Sequence, residues 1–65
     1  MDKDTLKRLR EYQTYLKDQI ASSQSMGNRY KDHKNFKAAE ECNTRSRILD
    51  VVSDEFERIF PELRE

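Results

Sequence analysis

The sequence contains one glycine, one proline, one cysteine and no tryptophan in 65 residues. So few chain breakers exclude a collagen-like, glycine/serine-linker or proline-rich chain. A single cysteine cannot close an internal disulfide, and with only one histidine no Cys/His zinc spacing can be written. No apolar run exceeds two residues, as at Val51-Val52, so neither a transmembrane span nor a signal-peptide core is expected. Neither sign of charge is in excess. Thirteen Lys+Arg balance thirteen Asp+Glu, leaving no net field to draw the chain onto nucleic acid or acidic lipid.

What is present is charge and periodicity. Charged residues make up 40% and hydrophobic residues 34% of the chain, and the apolar positions recur too regularly for a disordered segment. Residues 1–65 are read as one unit. A domain this small buries only about 60% of its unfolded surface, and ordering it costs roughly 1.5 kcal/mol per residue. Without disulfide or metal, the remaining sources of stability are good helix packing and self-association.

Helix one is expected over about residues 3–26. The stripe Leu6, Leu9, Gln13, Leu16, Ile20, Ser23 alternates spacings of three and four, a heptad seam. Asp2 and Asp4 stand where a cap and a first-turn acid are favoured. Tyr12 and Tyr15 flank the seam. Three serines followed by Gly27-Asn28 read as a C-cap and turn, placing the connection at about 27–33. Residues 28–34 suit either loop or helix, and Asp32 and Asn35 are both plausible caps. Helix two follows over about 33–60, with the seam Ala38, Cys42, Arg45, Leu49, Val52, Phe56, Ile59 and a face broadened by Phe36, Ile48 and Phe60. A slip of that seam to Ser46 is favoured over a buried Arg45. Pro61 should end the helix at Phe60.

Two long helices joined by a short connection predict an all-α fold, an antiparallel two-helix hairpin. Folding back sets the basic start (Lys3, Lys7, Arg8, Arg10) beside the acidic end (Asp50, Asp54, Glu55, Glu57, Glu62 and Glu65, the last of which lies outside the residues described below). One hairpin interface cannot cover the whole apolar face of helix two, so a homodimer forming a four-helix bundle is expected. Leu9, Leu16, Ile20, Leu49, Val52, Phe56, Ile59 and Phe60 are the residues expected to carry association.

Residues able to do chemistry are few. His33 has no nucleophile or second histidine at a useful spacing and reads as a solvated turn residue. Cys42 sits on an apolar seam beside Glu40 and Glu41, which oppose thiolate formation, and reads as a packed thiol in a reducing compartment. Asp50, Asp54 and Glu57 recur at i, i+4 and i+7 but lack the Glu-x-x-His pairs of di-metal bundles. Hence no catalytic residue, metal or cofactor is expected. Arg29, Lys31, Lys34 and Lys37, with Tyr30 among them, form a basic turn that could track a phosphate backbone.

The run Asn35-Phe-Lys-Ala-Ala-Glu-Glu-Cys-Asn-Thr-Arg-Ser-Arg-Ile-Leu-Asp50, leading into Val51-Val52, resembles the second helix of small helical-hairpin proteins encoded by bacteriophages and prophages. That resemblance implies a small cytoplasmic protein of bacterial or phage origin. Ser46-Arg47-Ile48-Leu49-Asp50 is similar to the Ser-Gln-x-Leu-Asp motif of helical-hairpin phosphatases acting on the sporulation response regulator, with Arg47 where that family has glutamine. The function expected is a non-enzymatic protein-interaction module, a phage or bacterial regulator or inhibitor acting by binding a host protein of unknown identity, with no membrane association. A nucleic-acid-associated regulator using the basic turn and a phosphatase-like hairpin are the alternatives.

Overall fold

The computed structural model describes residues 1–64. Two α-helices, α1 (Lys3–Asp32) and α2 (Phe36–Ile59), are followed by a 3-10 turn, Pro61–Arg64. Both helix starts are capped by side chains read from the sequence. The Asp2 carboxylate accepts from the Thr5 amide at 2.7 Å, and the Asn35 side-chain oxygen accepts from the Ala38 amide at 3.3 Å, satisfying donors that have no partner within the helix.

The expected turn at 27–33 is displaced. α1 passes through Gly27, which is buried and has a negative φ, and continues to Asp32. Residues 28–32 are therefore helix. A Cβ on residue 27 would lie 3.3 Å from the Cys42 Cβ and 3.7 Å from the Ala39 carbonyl oxygen. Glycine here lets two helices approach and does not reverse the chain. The reversal falls at His33–Asn35, where Lys34 takes φ 60°. Its amide donates to the Lys31 carbonyl at 3.0 Å and that of Asn35 to the Tyr30 carbonyl at 2.8 Å. This is a Schellman closure with lysine in the left-handed position that glycine ordinarily takes.

Pro61 stops α2 as expected: Ile59 is the last helical residue and the Phe60 amide caps onto the Phe56 carbonyl. The 3-10 turn then carries Leu63 back against the hairpin, where it is buried. Gln13 donates to the Leu63 carbonyl at 3.2 Å and Arg10 to that of Glu62 at 3.4 Å.

The α1 seam lies where the spacing put it, with Leu16 and Ser23 buried and Leu6, Leu9, Gln13 and Ile20 half-buried. The α2 seam is shifted. It runs Ala39, Cys42, Ser46, Leu49, Ser53, Phe56, Phe60, so the slip to Ser46 occurs and Arg45 stays exposed. The slip is not recovered further on. Ser53 is buried in place of Val52, and Phe60 turns inward in place of Ile59. Small residues (Ser23 and Gly27 against Ala39, Cys42 and Ser46) line the half nearest the turn. Leu16, Phe56, Phe60 and Leu63 fill the open half.

The result is a rod of 48 × 16 × 14 Å with a radius of gyration of 14.5 Å, against about 10.7 Å for a compact chain of this length. It exposes 5337 Å², whereas a compact monomer of 7.8 kDa would expose about 4,400 Å².

Candidate interaction surface

The contact between Tyr12 and Phe56, edge to face at 5.4 Å, fixes which flank of α1 lies beside which flank of α2. Helical periodicity then assembles one face of the rod. From α1 it takes Arg8, Tyr12, Tyr15, Gln19, Ser22 and Met26, at alternating spacings of four and three. From α2 it takes Ala38, Glu41, Arg45, Ile48, Val52, Glu55 and Ile59, the same stripe on an antiparallel neighbour. Tyr12, Tyr15, Ile48, Val52 and Ile59 are each between 42% and 59% exposed. Tyr12 stacks on Tyr15 at 5.9 Å, and Phe56 meets Phe60 edge to face at 5.3 Å, so the rings form one continuous chain across the open half. Such arrangements add to area burial when desolvated.

The opposite flank is polar and already satisfied. Glu57, only 17% exposed at its side chain, accepts from Gln13 at 2.7 Å and pairs with Lys17 at 3.4 Å and Arg64 at 3.9 Å. The Gln13 hydrogen bond, helped by Lys17 and Arg64 and opposed by burial, holds the Glu57 carboxyl below its ordinary value of 4.5. One flank of the hairpin is thus closed by polar contacts, and the other leaves Tyr12, Tyr15, Ile48, Val52 and Ile59 exposed among Arg8, Glu41, Arg45 and Glu55.

Of the residues expected to associate, Leu9, Leu16, Ile20, Leu49, Phe56 and Phe60 point into the hairpin seam, buried or half-buried. Val52 and Ile59 stand exposed on the apolar face. Arg29, Lys31, Lys34 and Lys37 are exposed around the turn, where Met26, Arg29, Tyr30 and His33 line a shallow cleft. None of the four basic residues enters an ion pair among the described residues. Cys42 and Ser46 are buried, while Asp50 is exposed. Asp50 and Asp54 face solvent, whereas Glu57 is drawn inward by Gln13, so these carboxylates form no single acidic site. Sequence reasoning missed Met26 as a surface anchor and Leu63 as a buried one. The α1 stripe from Arg8 to Met26 was the available signal for the first.

The chain matches no protein-family model, no curated protein and no solved structure. No described helix is long and apolar enough to cross a membrane. What the chain does has to be argued from this surface.

Proposed function

We propose that the chain is a non-enzymatic protein-interaction module that pairs with a second copy through its apolar face, giving a four-helix bundle. The observation that carries this is the group of large apolar side chains left exposed together on one flank of the hairpin, Tyr12, Tyr15, Ile48, Val52 and Ile59. The elongated outline of the rod, 48 × 16 × 14 Å, keeps that flank open along its length. The zero net charge opposes no approach between copies. Aromatic and branched side chains in the open half supply the anchors, and the charged residues among them set the orientation.

Light scattering coupled to size exclusion tests the pairing. The wild-type chain is expected at the mass of two copies at micromolar concentration, and Val52→Glu at the mass of one. A folded wild-type monomer at that concentration contradicts the proposal.

The basic turn favours a second reading, contact with a nucleic-acid backbone. α2 has no acidic residue in its first turn, and Arg29, Lys31, Lys34 and Lys37 are exposed and outside any ion pair among the described residues, with Asp32 offsetting one of the four charges. A steep loss of oligonucleotide binding with salt, flattened by replacing Lys31, Lys34 and Lys37, is the signature of that reading.

A further inference from the structure

We infer that the turn end of the hairpin binds single-stranded nucleic acid, with a base stacked on the exposed ring of Phe36 and the phosphates held by the cations around it. This rests on the second reading above and names its ligand. Phe36 opens α2 and is 61% exposed. It stands about 200° around the helix from Ala38, off the flank that carries Val52 and Ile59, so pairing of copies through that flank leaves it uncovered. Among the described residues it stacks on no other ring. Its neighbours are basic. Lys34 and Lys37 lie on either side of it in sequence, and the Lys34 amide closes onto the Lys31 carbonyl at 3.0 Å.

Lys34 supplies a separate observation. Its φ of 60° occupies the left-handed position that glycine takes at least cost. The chain thus keeps a cation at the tip of the turn at the expense of backbone strain, which points to a use for the charge. On the α1 side of the turn, Met26, Arg29, Tyr30 and His33 line a cleft of about 230 Å³, below the roughly 300 Å³ at which drug-sized pockets begin. A single flat ring suits it. Asp32 offsets one of the four cations, but two residues on from Tyr30 it stands on the opposite side of α1. Glu40 and Glu41 enter only in the second turn of α2.

The shape of this end selects a single strand over a duplex. The rod is 16 × 14 Å across, wider than the ~12 Å major groove, so its end cannot enter a groove. The cations straddle two helix ends and form no row along one helix face. A duplex also keeps its bases stacked inside and offers no face to Phe36. An unpaired strand presents both phosphates and open base faces. Crossing 16 Å takes about five nucleotides at a stacked rise of about 3.4 Å.

Fluorescence anisotropy with labelled oligo(dT), oligo(rU) and a DNA duplex of equal length tests this. Both single strands are expected to bind more tightly than the duplex, and the ratio between them separates DNA from RNA as the natural strand. Four cations set the slope of log affinity against log salt at no steeper than about −3. Phe36→Ala is expected to weaken binding about 5- to 150-fold, the loss of one stacked base, at an unchanged urea midpoint, and Phe36→Tyr to retain it. Lys34→Gly is expected to raise the urea midpoint while weakening binding and flattening the salt slope by about 0.7, opposite signs that a purely structural role does not produce. Equal binding of duplex and single strands, untouched by Phe36→Ala, overturns the single-strand assignment and leaves the basic turn as a phosphate contact. No binding of any probe at low salt overturns both, as does binding that is lost with Lys3→Gln and Lys7→Gln and kept when Lys31, Lys34 and Lys37 are replaced.

Discussion

At the scale of single residues, two positions exchange the roles their types suggest. Gly27 sits inside a helix and Lys34 occupies the left-handed turn position. Gly27 is required by proximity, because the 3.3 Å approach to Cys42 leaves no room for branching. Gly27→Val is expected to destabilise the fold by about 1–3 kcal/mol through overpacking. Lys34→Gly is expected to stabilise it by up to about 1 kcal/mol, since glycine relieves the left-handed backbone at some entropic loss. Urea unfolding midpoints of both variants check the pair. The sequence alone favoured the opposite assignment, because Ser-Met-Gly-Asn carries the usual local signals of a helix end. Only the partner helix, 15 residues further on, says that the glycine is wanted for contact. The caps Asp2 and Asn35 and the stop at Pro61 were legible, since each acts on its own few neighbours.

At the scale of elements, α2 is the informative one. Its apolar residues span an arc too wide for one neighbour, and the seam read from the sequence merged two stripes. Cys42, Leu49 and Phe56 belong to the inner stripe, while Ala38, Arg45, Val52 and Ile59 fall at successive intervals of seven on the outer one. Periodicity cannot divide such an arc, because the division depends on where the facing helix sits. The inner stripe of α1, Leu6, Leu9, Gln13, Leu16, Ile20 and Ser23, carries its aliphatic residues on one line and was read correctly.

The polar flank joins α1, α2 and the 3-10 turn through Glu57, and that joint is sensitive to acid. Its carboxyl is held below the ordinary value of 4.5, chiefly by the hydrogen bond from Gln13. The backbone amide of Thr5 lowers Asp2 and the hydrogen bond from Arg58 lowers Glu55 in the same direction. A depressed carboxyl contributes stability above its unfolded value and loses it as pH falls through the folded one. Thermal stability is therefore expected to be level above about pH 5 and to decline below it. Glu57→Gln should make that decline shallower without abolishing it. Melting temperatures of both chains across that range would show it, and identical acid slopes would mean that the Gln13–Glu57 contact is not formed in solution.

At the scale of the whole molecule, the hairpin is under-buried. Its hydrophobic core is Leu16, Ala39, Cys42 and Leu63, accompanied by three buried serines, its one cysteine is free, and no cluster of three or more metal-ligating side chains forms among the described residues. The hairpin architecture was legible because two long amphipathic segments and one short connection admit few other arrangements. The composition of the apolar face was only half legible, since it required the true α2 seam. In the proposed pairing, a second copy covering that face would supply further burial and couple folding to association. The concentration dependence of thermal unfolding measures that coupling most directly. A melting temperature that climbs steadily as the chain is concentrated from nanomolar to high micromolar is the expected result. A cooperative transition at one temperature throughout that range would show that the hairpin folds alone and that its apolar face needs no second copy.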